Sequence, residues 1–422
     1  MAERHDVPRG RRVVITGWGV VSPVGLTAET TWDGLVSGRS GIGTITCIDA
    51  SDLPTDLAGE VKGFEPRKYL EHKQVRRMDP YAQYAFAAAT EAVGTAKLEI
   101  TEEDAHRVGA LIGSGYGPMS SLGEHVLALA ARGPRAVSPF APVTGAIDSA
   151  AGEISLAFGV TGPTRALSSA CASGTDAIGE AARWVRHGVV DAVIAGGAEN
   201  ILTRVDMAGS GNAKALSTRV DSPTEACRPF DEDRDGFVMS SGSGVVVLES
   251  EEHALARGAT ILAEVAGYAA TSDAHHWTAP HPEGRGARAA MRGALADAGL
   301  TPEDVGYINA HGTSTVFNDQ SELDSIRAVF GDHAERIPIS STKSMTGHMI
   351  GAAGAVEAIV GAMVINRGVV PPTVNCHRPI DRAVNFVAHE AQAHDVDVVV
   401  SNSFGFGGHN AVVVLRRWRD RD

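Results

Sequence analysis

Four segments of the chain carry side chains whose types and spacing could do chemistry. They are LSSACASGTDAIG (167–179), YINAHGTSTVFND (307–319), STKSMTGHMIGAAGA (341–355) and SNSFGFGGHN (401–410). The first holds Cys171 just before a helix-like run, and the second holds His311 at a strand end. The third holds Lys343 and His348, and the fourth is a glycine-rich loop. Because α/β proteins build sites where strands end in such turns, we expect the four segments to meet at one site of nucleophilic catalysis.

Each of these side chains also has a purely structural interpretation. A lone cysteine is most often a small buried hydrophobic residue, and a lone histidine is most often a satisfied core or surface residue. Lys343 by itself could be a solvated surface lysine. The thiolate is the reactive form of cysteine, and the partial positive charge at a helix N-terminus would lower the pKa of Cys171. The position of Cys171 just before a helix therefore keeps the nucleophile hypothesis open.

Several other motifs resemble binding sites without completing one. TGWGVVSPVG (16–25) and GSGYGP (113–118) lack the glycine spacing of a dinucleotide fingerprint, and the chain has no P-loop motif. DEDRDGFVMSSG (231–242) starts like a calcium loop but has Gly242 where a bidentate glutamate is needed. The histidines of DAHHWTAPH (273–281) have no second ligand pair nearby. We therefore predict neither a metal nor a nucleotide cofactor.

The composition narrows the class of protein further. The chain has 422 residues, a net charge of −14 and 43% hydrophobic residues, which suits a large core and argues against nucleic-acid binding through the overall field. Its cysteines, Cys47, Cys171, Cys227 and Cys376, are too widely spaced to suggest a disulfide framework. The polar start, residues 1–10, predicts a disordered tail without a secretory signal. No run approaches the ~20 apolar residues of a membrane span, so we expect a cytoplasmic protein with reduced thiols.

Short β-branched runs alternate with alanine-rich helical stretches along the chain. The predicted strands cover 11–21, 107–114, 192–198, 244–250, 261–269, 305–312, 337–343, 384–389, 396–405 and 410–416. The predicted helices cover 79–97, 174–188, 284–299, 318–331 and 351–368. This alternation is typical of an α/β architecture with covered sheets. Residues 168–190 also resemble 340–370, with Cys171 and Lys343 each three residues after the first serine, which favours a duplicated fold.

A series of motifs follows in order from about residue 11 to residue 416. They are VVITGWGVVSPVG, TGPTRALSSACASG, VIAGGAEN, ALST, RPFDEDRDGFV, PHPEGRGA, NAHGTSTVFND, KSMTGHMIGAAGA and SNSFGFGGHN. At these motifs the chain resembles the β-ketoacyl-acyl-carrier-protein synthases, the condensing enzymes of fatty-acid and polyketide synthesis. The resemblance implies a thiolase-like fold, in which two similar α/β halves, 11–262 and 263–417, stack in alternating helix and sheet layers. It also implies that the protein dimerises.

The resemblance assigns the central chemistry to three residues. Cys171 is the expected nucleophile, which attacks a thioester carbonyl and holds the acyl chain. His311 and His348 are the expected decarboxylation pair, whose N–H groups would stabilise the enolate formed when malonyl thioester loses CO2. Neutral histidines suit this role because they can donate a hydrogen bond without being consumed as acids.

The resemblance also implies supporting residues around this centre. Lys343 and Glu322 are expected to form a supporting pair. Phe406, in the glycine-rich loop, is expected to gate the site, and its backbone N–H would complete an oxyanion hole with that of the nucleophile. Thr313 and Thr315 match threonines that contact the pantetheine arm of the substrate.

The expected substrates arrive on the phosphopantetheine arm of acyl carrier protein, so no other cofactor is expected. PRKYLEHKQVRRMD (66–79) concentrates basic residues in a chain that is acidic overall. We hypothesise that Lys73, Arg76 and Arg77 dock the acidic carrier by electrostatic steering. The alternative is that they form one solvated basic helix face.

Three functions fit the resemblance. The first is an elongating ketosynthase of the fatty-acid type, and the second is the ketosynthase subunit of a type II polyketide synthase paired with a chain-length factor. The third is a non-catalytic ketosynthase-like subunit, which would lack the nucleophile. The sequence does not decide whether the protein is a homodimer or a heterodimer. Two departures from the usual family pattern stand out: Ser240 and Ser241 replace a glycine and an acidic residue, and His409 replaces a common threonine.

Overall fold

The structure, a computed structural model, describes residues 10–420. Of the tail expected at residues 1–10, only Gly10 falls within this range, and it belongs to no helix or strand. Residues 1–9 lie outside the described residues. Between residues 10 and 420 the helices are α1 (Ala28–Val36), α2 (His72–Val75), α3 (Pro80–Ala96), α4 (Met119–Arg132), α5 (Ala141–Thr144), α6 (Ser149–Phe158), α7 (Ser173–Arg186), α8 (Arg204–Asn212), α9 (Glu251–Ala256), α10 (Arg285–Ala298), α11 (Val316–Phe330), α12 (Lys343–Thr346) and α13 (Ala353–Arg367).

The strands alternate with these helices over the same range. They are β1 (Val13–Val21), β2 (Ile42–Thr44), β3 (Leu57–Gly59), β4 (Val108–Gly113), β5 (Thr164–Leu167), β6 (Ala192–Glu199), β7 (Gly242–Ser250), β8 (Ala263–Ser272), β9 (Tyr307–Asn309), β10 (Ile339–Ser340), β11 (Val369–Val370), β12 (Gln392–Ala393), β13 (Val398–Gly405) and β14 (His409–Arg416). The proposed boundary between residues 262 and 263 lies where β8 begins.

The main sheet repeats one strand order in its two halves. The N-terminal half runs β5-β4-β6-β7-β1, and the C-terminal half runs β10-β9-β13-β14-β8. In each half the first three strands are parallel and the last two pair antiparallel. The halves join where β1 pairs with β8, through Val14 with Glu264 and Ile15 with Ala263. This repetition confirms the expected duplication of the α/β fold.

Helices α7 and α13 fill the space between the two halves of the sheet. Val193 and Ala195 of one half and Val399 of the other pack against them. Because side chains alternate along a strand, Ile194 faces the opposite way, toward α3 and α6. In the C-terminal half Val400 likewise faces α10 and α11. The result is five layers, helix–sheet–helix–sheet–helix, as the thiolase-like prediction required.

Helix α13 is apolar on nearly every side because it lies in this central layer. Every residue from Ala353 to Ile365 is buried, and the only acidic one among them is Glu357. The segment Ile350–Arg367 is long and apolar enough to cross a membrane, but 89% of it is buried inside the protein. We therefore interpret it as the core helix of the fold. A carboxylate in such a helix requires a buried partner.

The predicted strand at 384–389 is wrong, and the one at 337–343 is too long. The first run makes single bridge pairings, such as Phe386 with Ile339, while its apolar side chains pack into the core. A short apolar run indicates burial but does not distinguish a strand from an irregular segment. The second run is a strand only at Ile339–Ser340, because the chain then turns into α12.

The two central helices begin with the same kind of turn. A 3₁₀ turn precedes each of them, Ala170–Ala172 before α7 and Ile350–Ala352 before α13. The first residue of each turn is left-handed, with φ of 52° and 42°. Cys171 therefore corresponds to Gly351 in the other half. The resemblance between residues 168–190 and 340–370 aligns it with Lys343 instead, which is wrong because α12 and a loop are inserted ahead of the second turn.

Candidate active site

The turn from Ser169 to Ser173 presents Cys171 between β5 and α7. Ser173 Oγ accepts a hydrogen bond from Ser169 N–H at 2.9 Å and donates one to the Ala170 carbonyl at 2.6 Å. The left-handed backbone of Ala170 costs an ordinary residue about 1–2 kcal/mol. A Cβ atom at Gly405 would lie 3.0 Å from the Cys171 nitrogen, closer than most real contacts, so glycine suits the close approach of the 401–410 loop. The turn is thus fixed by its neighbours.

The Cys171 thiol is almost fully buried, with 6% of the residue exposed. The backbone N–H of Phe406 lies near enough to the sulfur to lower the pKa of the thiol. Burial raises the pKa of the thiol to about 11, while the Phe406 N–H and the Lys343 charge oppose the rise. The expectation of a lowered pKa is therefore wrong, because desolvation of the thiolate outweighs the charge at the start of α7. At rest Cys171 is a thiol, so its attack needs a base.

His311 and His348 face this thiol as a pair. Their ring centroids are 5.3 Å apart with planes at 83°, and the Cys171 sulfur and one nitrogen of each ring lie within 4.8 Å of one another. Burial, together with the Lys343 charge, holds the pKa of both imidazoles well below 6.5. Both rings are therefore neutral, as the sequence analysis expected. Within residues 10–420 these three side chains also form the one group of cysteine, histidine and acidic residues whose atoms lie close enough together to hold a metal ion.

Glu322 holds the strand end that carries His311. Its carboxylate accepts the N–H groups of His311 and Gly312, both at 2.8 Å, and the Asn402 amide at 3.1 Å. Burial raises the pKa of Glu322 to about 7. The predicted pairing of Glu322 with Lys343 is wrong, because the backbone N–H groups of the β9–α11 connection already occupy the carboxylate.

Lys343 instead pairs with Glu357 of α13. The distance from Nζ to Oε1 is 2.5 Å, and both side chains are buried. The burial of Glu357 raises its pKa, and the Lys343 ammonium opposes the rise. Sequence reasoning missed Glu357, although the single carboxylate of an otherwise apolar helix was the available signal. The Lys343 charge lowers the pKa of Cys171 and of both histidines, so it lies within electrostatic reach of all three.

The unusual GFVMSSGSG segment (236–244) supports His348. The backbone N–H of His348 donates to the Val238 carbonyl at 2.7 Å, and the backbone N–H of Ser240 donates to the His348 carbonyl at 3.1 Å. The Ser240 hydroxyl donates to the Gly59 carbonyl at 3.0 Å, and the Ser241 hydroxyl bonds the Asn200 side chain at 3.0 Å. The two serines are therefore buried and hydrogen-bonded, and the segment keeps its contact with the site.

Glu199 is a further buried carboxylate that sequence reasoning did not select. It ends β6 and accepts hydrogen bonds from Gly115 N–H at 2.7 Å, Ser114 Oγ at 2.9 Å and Gly351 N–H at 3.0 Å. Burial raises its pKa to about 7. These contacts tie the turn after β4 to the turn before α13. The signal in the sequence was the acidic residue at the end of the small-residue strand AVIAGGAE.

A cavity of about 530 Å³ opens onto the catalytic group. Cys171, His311 and His348 line it, together with the predicted substrate residues Thr313 and Thr315 and the gate residue Phe406. The Oγ1 atoms of the two threonines are 3.1 Å apart. The predicted docking residues Lys73, Arg76 and Arg77 do not line the cavity; they are exposed on and just after α2.

The acidic loop that resembled a calcium site uses its carboxylates internally. Asp231 accepts hydrogen bonds from the N–H groups of Asp233 and Arg378, at 2.9 and 2.7 Å. Asp235 accepts the Ser217 hydroxyl at 2.8 Å. These contacts explain the acidic loop as a structural turn ahead of β7.

Sequence comparisons place this arrangement among known proteins. The family model for the beta-ketoacyl synthase N-terminal domain matches residues 10–254, and that for the C-terminal domain matches residues 262–377. The 3-oxoacyl-[acyl-carrier-protein] synthase 2 of Synechocystis sp. is 46% identical over 410 residues, 97% of this chain and 99% of that protein. The protein of the same name from Staphylococcus aureus is 47% identical over 411 residues, with the same coverage.

Solved structures agree with the sequence relatives. A type II PKS acyl-carrier protein in complex with its ketosynthase bound to the hexaketide (AntDE:AntF) matches with a TM-score of 0.89 and 32% identity over 97% of this chain and all of that one. The ishigamide ketosynthase/chain length factor matches with a TM-score of 0.90 and 36% identity at the same coverage. The repeated sheet order, the layered halves and these matches lead to one conclusion: the chain belongs to the β-ketoacyl synthase family.

Proposed function

We propose that this protein is a 3-oxoacyl-acyl-carrier-protein synthase, an acyltransferase that extends an acyl chain by decarboxylative Claisen condensation. The observation that carries the proposal is the buried group in which the Cys171 sulfur and the two neutral imidazoles lie within 4.8 Å of one another. Relatives that are 46–47% identical over almost the whole chain carry the same activity in their names.

The first step loads the acyl chain onto Cys171. A neutral imidazole takes the thiol proton, the sulfur attacks the thioester carbonyl, and the tetrahedral oxygen is held by the backbone N–H groups of Cys171 and Phe406. The carbon–sulfur bond to the carrier then breaks, and the departing carrier thiolate takes up the proton. Each histidine has a ring nitrogen within 4.8 Å of the sulfur, and such contacts tighten when substrate binds, so either is a candidate base.

The second step removes CO2 from malonyl carrier and forms the new bond. The carbon–carbon bond to the carboxylate breaks, and its electron pair becomes an enolate on the thioester oxygen. N–H groups from His311 and His348 stabilise that oxygen, and loss of one such donor typically costs about 100- to 1000-fold in rate. The enolate carbon attacks the acyl–Cys171 carbonyl, the carbon–sulfur bond breaks, and the Cys171 thiolate that leaves takes up a proton from water to restore the thiol. Burial keeps both imidazoles neutral, and the Lys343 charge adds to this because it opposes their protonation.

The pathway has two candidates that share this chemistry. The curated relatives are 3-oxoacyl-[acyl-carrier-protein] synthases and favour elongation of fatty acids. The second candidate, a type II polyketide ketosynthase with a chain-length factor, is supported by solved neighbours that are ketosynthase/chain length factor complexes. A non-catalytic role fits poorly, since the nucleophile and both histidines are present and adjacent.

Three features of the protein surface suit the binding of partner proteins. Lys73, Arg76 and Arg77 are exposed and positively charged, which suits docking of an acidic carrier. Around α4 to α6 the side chains of Leu127 and Leu156 are 71% and 81% exposed, which suits burial by a second subunit. Strand β5 lies at the edge of the sheet and could pair with a second copy or a chain-length factor.

The four cysteines, all within the described residues, are free thiols, which suits the reducing cytoplasm.

Mass spectrometry tests the proposed function. The purified protein is incubated with an acyl carrier and a malonyl carrier, and intact carriers and products are weighed. The proposal predicts release of CO2 and an acyl chain two carbons longer, with product length separating the two pathways. Hydrolysis of the substrates without chain extension would overturn it.

A further inference from the structure

A buried network beneath the nucleophile turn plays no part in the chemistry described so far. Asp176, in the first turn of α7, accepts a hydrogen bond from Ser169 Oγ at 2.5 Å and another from the Tyr268 hydroxyl at 2.7 Å. All three residues are more than nine-tenths buried. Ser169 lies two residues before Cys171, whereas Tyr268 belongs to β8 of the other half. One carboxylate therefore joins the nucleophile turn to the second half of the fold.

A glycine in the interior of α7 leaves space for the contact between Asp176 and Tyr268, although it lowers the stability of the helix. Gly179 lies in the middle of α7, where glycine lowers helix stability. A side chain at Gly179 would lie 2.2 Å from the Tyr268 ring, so the glycine is what lets the ring pass across the helix to Asp176. The guanidinium of Arg183 lies 4.7 Å from the centre of the same ring and covers it. The contact is therefore built into the packing of both halves.

The turn that Asp176 holds is strained. Ala170 is left-handed, and its neighbours Ser169 and Cys171 set where the sulfur lies relative to the Phe406 N–H. A strained turn persists only when its surroundings fix it. The Ser169 hydroxyl is fixed by Asp176, and the Ser169 backbone N–H is fixed by Ser173 Oγ.

We propose that Asp176 is a positioning residue for Cys171: by joining Ser169 to Tyr268, it holds the left-handed turn in the shape that places the thiol against the Phe406 N–H and the imidazole pair. This inference rests on the proposed function, because it takes Cys171 as the nucleophile. Asp176 itself touches neither the sulfur nor the substrate. Its contribution is to the geometry of the reacting group and not to the binding of the carrier.

A double-mutant cycle tests the proposal in the full-length protein. The variants are Asp176→Asn, Ser169→Ala and their combination, with Glu249→Gln as the matched control. Glu249 is also a buried carboxylate that accepts a hydroxyl, from Thr16, but it lies at the opposite end of β7 from the site. Each protein is assayed for the rate at which iodoacetamide alkylates Cys171, for kcat and KM with the acyl carrier, and for thermal unfolding.

Asp176→Asn and Ser169→Ala should each slow alkylation and kcat by about tenfold or more, with KM for the carrier within about twofold of the unmodified protein. The double variant should be no slower than the slower single variant, since both break the same connection. Glu249→Gln should lower thermal stability and leave alkylation unchanged. If Asp176→Asn does not fold, Ser169→Ala alone decides, because it removes one small hydroxyl.

Two results would overturn the inference: folded variants that alkylate and turn over like the unmodified protein, or single effects that multiply in the double variant. Neither result touches the proposed function, provided that the unmodified protein still extends an acyl chain. An unmodified protein that does not extend a chain would instead refute the proposed function, whatever the variants do.

Discussion

Lys343 of α12 and Glu357 of α13, the central helix between the halves of the fold, form a buried ion pair with Nζ 2.5 Å from Oε1. The pair explains how a full positive charge is kept in the core next to a thiol and two imidazoles. A buried charge without a partner would be strongly unfavourable. Removing either partner alone should therefore lower the free energy of unfolding strongly, and removing both should lower it much less.

Glu357→Gln should lower the free energy of unfolding by about 3–5 kcal/mol, because it leaves the Lys343 charge uncompensated. Replacing both, as Lys343→Met with Glu357→Leu, should recover most of that loss. Denaturant unfolding of the three proteins measures both changes. If Glu357→Gln and the double replacement are equally stable, Glu357 does not compensate the buried charge of Lys343.

Decarboxylation should depend little on pH in the range where free histidine titrates. The pKa of His311 and of His348 lies well below 6.5 in the folded protein, so both remain neutral as the pH falls through that value. Malonyl decarboxylation by a Cys171→Ala variant should therefore stay level from about pH 8 to about pH 6. A rate that falls with a midpoint near pH 6.5 would mean that the imidazoles are not shielded.

His311 and His348 should each lower the free energy of unfolding as the pH falls below about 6.5, whereas Glu199 and Glu322, with a pKa of about 7, raise it over the same range. A histidine whose pKa is lowered on folding binds more protons in the unfolded chain, so unfolding becomes easier as the pH drops below about 6.5. Each such group contributes up to about 1.4 kcal/mol per pH unit. Replacing His311 and His348 by asparagine should reduce the slope of unfolding free energy against pH. An unchanged slope would assign the effect to other histidines.

The rate of Cys171 alkylation should rise steeply with pH. Burial raises the pKa of this thiol to about 11, so the thiolate fraction grows about tenfold per pH unit between about pH 7 and about pH 9. Iodoacetamide labelling followed by peptide mass spectrometry measures the rate. A plateau below about pH 8 would indicate a thiolate already formed at neutral pH.

Reversing the charges of Lys73, Arg76 and Arg77 to glutamate should raise KM for the carrier by about tenfold or more at low salt and flatten its salt dependence. Alkylation of Cys171 by iodoacetamide should not change, because these residues do not line the cavity. Lys97→Glu with Arg336→Glu and Arg382→Glu, which reverses three exposed charges outside this segment, is the matched control. If both sets of variants raise KM equally, docking depends on net charge and not on this segment.

Patterns in the sequence predicted the layered α/β fold and the group that lines the cavity, but not all of their contacts. Strand and helix periodicity identified the long elements such as β7 and α3, because a buried face repeats along them. The motif resemblance selected Cys171 and both histidines. It paired Lys343 with the wrong carboxylate, since the partner of a buried charge is set by three-dimensional packing that spacing along the chain does not reveal.

Other omissions have the same cause. Asp176 lies seven residues after Ser169, and nothing in their spacing showed that Tyr268, from the other half, completes the contact. The pKa of Cys171 was misjudged because helix position is visible in the sequence whereas burial of a single sulfur is not. Glu199 could have been selected, since a carboxylate ending a strand of small apolar residues must satisfy its charge locally.

The location of the acyl chain tests the central claim most directly. The protein is incubated with the acyl carrier alone, digested, and the acylated peptide is identified by mass spectrometry, in parallel with Cys171→Ala. The account predicts one acyl group on the peptide that contains Cys171, and neither an acyl group nor condensation in the variant. An acyl group on another residue, or undiminished carbon–carbon bond formation by Cys171→Ala, would contradict it.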